Sequence, residues 1–172
     1  MANRNENKTI VLEDLPNELF SQIFSYLSGV DAVFGFSLLN TRFQCLLKEY
    51  CHEFDFQLTD KMKFDFIFNQ YDKQWWKSLK LSNEDIPGQI EYFFQCYSLI
   101  DGISQLKFLS LLNIESINQS ILLSQISFLT NLISLTLKPI CGRLLSNIDL
   151  PSKLKRLVVT SCRNTQWIEV RF

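Results

Sequence analysis

The 172-residue sequence predicts a mixed fold, α/β in class and α+β overall, in which a short three-helix module precedes a strand-helix array. Two patterns carry this expectation. Apolar residues recur at helical spacing between positions 12 and 50, and an apolar-x-x-apolar-x-apolar motif then recurs five times from Cys51. Composition agrees, because 47% hydrophobic against 20% charged residues supplies enough apolar surface for a continuous core. The expected organisation is a flexible polar tail at 1–11, a helical module at 12–50 and the array at 51–172.

Punctuation places the first helix. Glu13, Asp14 and Leu15 lead to Pro16 and Glu18, which put a fixed φ and a negative charge in a first turn, so a helix should begin near Pro16. Leu19, Ile23 and Leu27 follow at four-residue spacing, with Phe20 and Phe24 on the adjoining row, and Ser28-Gly29 stops the pattern. Asp31 is expected to cap a second helix carrying Val33, Phe36, Leu38 and Leu39. Thr41 is expected to cap a third, whose buried face is Phe43, Leu46, Leu47 and Tyr50. Three such short helices cannot hide all their apolar surface among themselves, so part of it should meet something else.

The run Leu15-Pro16-x-Glu18-Leu19, then Ile23-Phe24-Ser25-Tyr26-Leu27, Asp31 and Ser37 through Phe43 resembles an F-box over Leu12 to Leu47. Phe43 stands where that family usually has Trp, and Val33 and Phe36 where it commonly has Leu. The resemblance implies docking to the Skp-type adaptor of a cullin-RING ubiquitin ligase. Leu15, Pro16, Leu19, Ile23, Phe24 and Leu27 match the family's adaptor-facing and core positions, and the sequence does not divide the two roles.

From Cys51 the recurring motif reads Cys51-Phe54-Phe56, Trp76-Leu79-Leu81, Leu106-Leu109-Leu111, Leu132-Leu135-Leu137 and Leu154-Leu157-Val159. Its middle members, at 54, 79, 109, 135 and 157, lie 25, 30, 26 and 22 residues apart. Between them, Phe64, Ile67, Phe68 and Tyr71 form one helical face, and Ile90, Phe93, Phe94 and Tyr97 form another after Pro87. A weaker helix is expected around 117–129, whereas Gly142 and Pro151 interrupt the last connection. Ile168, Val170 and Phe172 alternate with polar residues as a final strand, leaving truncation of the array and capping by another molecule as alternatives.

The array resembles leucine-rich repeats, whose period is about 20 to 29 residues. It departs from them in the loop slot three residues past the second strand leucine. Only Cys162 suits that slot, while Thr59, Glu84, Ile114 and Ile140 do not. In such repeats the leucines point inward, so an outer strand face is expected from Glu53, Asp55 and Gln57, from Ser78, Lys80 and Ser82, and from Ser134. The same face carries the candidate substrate-binding residues Phe108, Ser110, Leu112, Thr136, Lys138, Arg156 and Val158, and also Thr160. Trp76 occupies a strand-leucine slot, and Trp75 is expected to point the opposite way along that strand.

Several function classes are excluded. With 17 Lys and Arg against 18 Asp and Glu, the chain has no general field for nucleic acid or anionic lipid. No apolar run approaches the roughly 20 residues of a membrane helix, and the start lacks a signal peptide, so a cytoplasmic or nuclear location is expected. Five scattered cysteines without a CxxC pair fit reduced core thiols, and the sequons at Asn7 and Asn118 read as chance. His52 is the sole histidine, no phosphate loop or nucleophile elbow is present, and no catalytic residue, cofactor or metal is assigned.

Two functions remain. One is a substrate-recruiting adaptor of a Skp-cullin-F-box ligase, with an unknown protein substrate and with cullin and RING subunits reached through the Skp-type adaptor. The other is a non-catalytic repeat scaffold for which the helical module serves as N-terminal cap.

Overall fold

Side-chain caps open the second and third helices of the N-terminal module. The computed structural model describes residues 11–96, 103–114, 119–140, 150–161 and 167–172. A 3-10 turn at Leu12–Asp14 leads into α1 (Asn17–Tyr26), α2 (Gly29–Phe36) and α3 (Thr41–Tyr50). Pro16 is the residue before α1, as its fixed φ favours. Ser28, not Asp31, caps α2: its hydroxyl accepts from the Asp31 N–H at 3.0 Å and donates to the Asp31 carboxylate at 2.8 Å. Ser28 has the extended backbone a cap requires, and Asp31 sits one turn inside.

Asn40 likewise replaces Thr41 as the cap of α3, accepting from the Phe43 N–H at 3.2 Å. Thr41 becomes the first helical residue. Because α2 ends at Phe36, Leu38 and Leu39 fall in the turn and are exposed rather than on a helical face. Phe20, Phe24, Val33, Phe43, Leu46 and Leu47 are buried, whereas Tyr50 is exposed at the end of α3. Phe20 meets Phe43 edge-on at 4.8 Å and Phe24 meets Phe36 at 5.3 Å, so Phe43 serves as a core ring. Cys45 is exposed, contrary to expectation, because α3 turns Phe43, Leu46 and Leu47 inward and leaves Cys45 outside.

The array continues through β1 (Glu53–Asp55), α4 (Lys61–Gln70), a 3-10 turn (Lys73–Trp75), β2 (Ser78–Ser82) and α5 (Gln89–Cys96). Then come β3 (Phe108–Leu112), α6 (Gln119–Ile126), β4 (Ser134–Ile140), β5 (Arg156–Ser161) and β6 (Trp167–Arg171). Among the described residues, six strands form one sheet in chain order, with β1 to β5 parallel and β6 antiparallel to β5. Phe54, Leu79, Leu109, Leu135 and Leu157 stand side by side in the register, so the spacing of the sequence motif is the strand register itself.

A second ladder precedes the strands. The His52 carbonyl accepts from the N–H groups of Lys77 and Ser78, that of Lys77 from Lys107 and Phe108, and that of Lys107 from Ile133 and Ser134. The Ile133 carbonyl accepts from Lys155 and Arg156 in the same way. Each repeat is therefore bound to the next at an equivalent backbone position. Past Leu137 the β4–β5 register shifts, where Pro139 supplies no N–H to the ladder.

The helical faces pack beneath this sheet. Phe64, Ile67, Phe68 and Tyr71 are buried, as are Ile90, Phe93 and Phe94, and Trp76 stacks at 4.7 Å on Phe54. Trp75 does not lie on a strand: it closes the 3-10 turn, where its carbonyl faces His52 Nδ1 at 3.1 Å. Burial pushes the Cys51 thiol up to about 11, which keeps it protonated and inert at neutral pH.

Turn-bridging amides take over from the missing loop asparagines. The buried Gln89 accepts from the Ser82 N–H at 2.9 Å and donates to the Phe56 carbonyl at 3.4 Å, joining the ends of β1 and β2. Asn113 reaches Glu84 at 3.2 Å across the next turn. Gly88, at φ +77°, precedes α5 in a conformation that favours glycine.

The helical module shares its core with the array. α2 rests on β1 and meets α4 through the Asp31–Lys63 ion pair at 2.8 Å and an edge-on contact of Phe34 with Phe66 at 5.3 Å. Tyr97, Cys141, Gly142, Cys162, both sequon asparagines and most of the 1–11 tail lie outside the described residues.

Candidate functional site

α1 divides the six expected adaptor residues into two groups. Phe20 and Phe24 point into the module, and Phe24, at 5% exposure, belongs to its core. One helical position away, Leu19 is 40% and Leu27 38% exposed, with Pro16 also exposed. Leu15 and Ile23 are half-buried and pack against the core from that edge. The four-residue spacing and the 100° turn per residue place the two rows on different sides of the helix.

Arg42 holds the entry to this edge. Its guanidinium donates to the Glu13 carbonyl at 2.6 Å, to the Leu15 carbonyl at 2.6 Å and to the Asn17 side chain at 2.6 and 2.9 Å. It also lies 5.4 Å from the centre of the Phe20 ring. The planar fork thus ties the backbone before Pro16 to the Asn17 side chain after it and sets how Leu15 and Pro16 are presented. The sequence pointed to this residue only as part of the Thr41-Arg42-Phe43 run. Leu38, at 75% exposure, and Leu39, at 47%, add apolar surface to the same module.

The outer strand face is the second surface. Glu53, Asp55 and Arg156 are exposed, and Ser78, Lys80, Ser110, Leu112, Ser134, Thr136, Lys138 and Thr160 are half-buried. Phe108 is 47% exposed. Two expected members are not available: Ser82 is buried, its hydroxyl accepting from the Glu84 N–H, and Val158 is buried between Thr136 and Glu169 of the flanking strands. Gln57 lies beyond the end of β1.

Charges on this face are partly paired. Lys80 contacts Asp55 at 2.9 Å, and Glu169 bridges Arg156 at 3.1 Å and Arg171 at 2.9 Å. The Arg171 guanidinium, then that of Arg156, holds the Glu169 carboxyl below its usual range. Desolvation, followed by the charge of Lys80, lowers the Lys138 ammonium.

Among the described residues, no group of three or more His, Cys, Asp or Glu side chains is placed to hold a metal ion. Among the same residues, no helix is long and apolar enough to cross a membrane. No curated protein and no solved structure matches the chain. Residues 12–52, which hold the three-helix module with its Arg42-held leucine edge, match the family model of the F-box domain.

Proposed function

We propose that this chain recruits substrates to a ubiquitin ligase of the Skp-cullin-F-box class. The F-box match over residues 12–52 carries the reading. It is supported by the exposed edge of Pro16, Leu19 and Leu27 outside a filled aromatic core, apolar surface that suits a protein partner. The F-box, at 12–50, docks to a Skp-type adaptor and through it to cullin and RING subunits. Residues 51–172 form a leucine-rich-repeat-like solenoid whose outer strand face holds a client protein. Five strand motifs in matched register support this reading of the array. The chain itself performs no chemistry: it holds the client near a ubiquitin-loaded enzyme, and proximity accelerates transfer.

A second reading has its own observation. α2 covers the outer edge of β1, as a cap of a repeat array must, and a scaffold without adaptor binding would use the module for this alone. Adaptor capture separates the two. The full chain should bind a purified Skp-type adaptor, and both Leu15→Ala with Pro16→Ala and, separately, Leu19→Glu should weaken binding at least about ten-fold. Thermal melting should show the array still folded. Undiminished capture by both variants, or no capture by the parent, refutes the ligase reading.

A further inference from the structure

The strand face carries a charge bias that the whole chain lacks. The chain has net charge -1. On and beside the outer face, however, stand Lys77, Lys80, Lys107, Lys138, Lys155, Arg156 and Arg171, against Glu53, Asp55 and Glu169. The bias concentrates at one end of the strands. The Lys77 carbonyl accepts the Lys107 N–H, so these two lysines hold equivalent positions on successive repeats, and Lys155 holds the same position two strands further on.

A groove of about 750 Å³ runs between the end of α1 and the first three strands. Lys77 and Lys107 line it, and neither has an ion pair or side-chain hydrogen bond among the described residues. Phe108, 47% exposed, and Ser110 line the same groove. Lys80 is the third lysine in the groove, where Asp55 already neutralises it, and Glu53 on β1 is the other carboxylate of the lining, so the lysine excess lies on the β2 and β3 side at Lys77 and Lys107. Two unpaired cations one strand apart, roughly 5 Å between backbones, repel each other unless an anion lies between or above them. An exposed aromatic ring beside them is a surface on which an apolar side chain loses water.

We propose that this groove takes an extended acidic segment of the client protein, with carboxylates facing Lys77 and Lys107 and an aromatic or aliphatic side chain against Phe108. The assignment rests on the client-recruiting reading above and adds the chemistry of the client to it. Charge complementarity selects this occupant: a basic segment would meet unpaired lysines, and an uncharged one would leave them unpaired.

The test uses the purified full chain and fluorescence anisotropy. The probe is a fluorescein-labelled dodecapeptide of alternating Glu and Ser with one central Phe. It should bind at least about ten-fold tighter than its Lys-for-Glu counterpart, and binding should weaken between 50 and 500 mM NaCl as screening shortens the reach of the charges. Replacing the central Phe of the probe with Ser, or Phe108→Ala in the protein, should each cost about three- to ten-fold. Lys77→Glu with Lys107→Glu should cost about ten-fold or more. Lys61→Glu, on α4 outside the groove, should leave affinity unchanged, and melting curves should show that every variant is folded.

Absent binding of the acidic probe, equal affinity for the basic one, or indifference to the double lysine reversal overturns the proposal. So does equally tight binding of a single-stranded oligonucleotide, which would make the surface a general polyanion site. Adaptor capture is measured separately. Lost peptide preference with intact capture overturns the groove alone, and intact preference without capture overturns the ligase reading alone.

Discussion

Gly29→Ala tests how the helical module is joined to the array. Gly29 opens α2 where that helix meets β1, and a Cβ there would lie 2.1 Å from the Glu53 carbonyl oxygen and 3.2 Å from its carbon. Real Cβ contacts essentially never fall below 3.0 Å, so the seam must open by close to 1 Å. The obstacle is backbone held in the β1–β2 ladder, and it cannot swing aside as the end of a long side chain would. Overpacking of this kind costs about 1–3 kcal/mol. The better helix propensity of Ala returns at most about 1 kcal/mol. The net expectation is a loss of about 1–2 kcal/mol, or roughly 2–8 °C in Tm for a chain of this size.

Gly35→Ala is the control in the same helix. A Cβ at Gly35 meets nothing within 4 Å, so only the propensity gain acts and stability should rise by up to about 1 kcal/mol. Urea and thermal unfolding of the two variants and the parent provide the measurement. A Gly29→Ala protein as stable as the parent, or stabilised like Gly35→Ala, would refute the close seam and with it the joined core.

Two further outcomes follow from the turns and caps. Gln89→Leu should cost about 1–3 kcal/mol in urea unfolding, because it leaves the Ser82 N–H and the Phe56 carbonyl without their bridge. Gln89→Glu keeps the acceptor for Ser82 but buries a carboxyl against the Phe56 carbonyl, so at pH 7 it should lose at least as much, and equal stability of all three proteins would show that the amide does not join the turns. For Asp31, the Lys63 ammonium first and the Ser28 hydroxyl second hold the carboxyl below its ordinary range. The ionised form therefore favours the fold. Its contribution is present above the unfolded carboxylate value of about 4 and is lost as pH falls through the lower folded value. Asp31→Asn should be less stable than the parent at pH 7, and the gap should close on acidification. A gap that persists in strong acid would point to packing rather than charge.

The repeated strand motif was legible because burial has a period. Inward positions need apolar side chains at fixed intervals, so the positions of Phe54, Leu79, Leu109, Leu135 and Leu157 disclosed the register before any pairing was known. The F-box resemblance was legible for a similar reason, since a small module needs its leucine, proline and aromatic positions in order. Caps were misplaced by one to three residues because Ser28 and Asp31, like Asn40 and Thr41, are all capable of capping. Backbone geometry chooses between them.

The division of the leucine edge from the phenylalanine core was not legible, because both rows of α1 are apolar and hydrophobicity carries no direction until neighbours occupy one side. Arg42, Gln89 and Gly29 show the same limit. Apart from Ser82, seven residues before Gln89, their partners lie 24 to 33 residues away along the chain, and an isolated side chain does not reveal which distant carbonyl or amide it will meet. Local periodicity thus settles the elements and their order: three helices, then strands in register. Contacts between residues far apart in sequence settle which apolar row stays exposed, that β6 runs antiparallel, and that Val158 and Ser82 leave the outer face while Phe108 stays on it. Burial is a property of neighbours in space, and the chain names those neighbours only once it is folded.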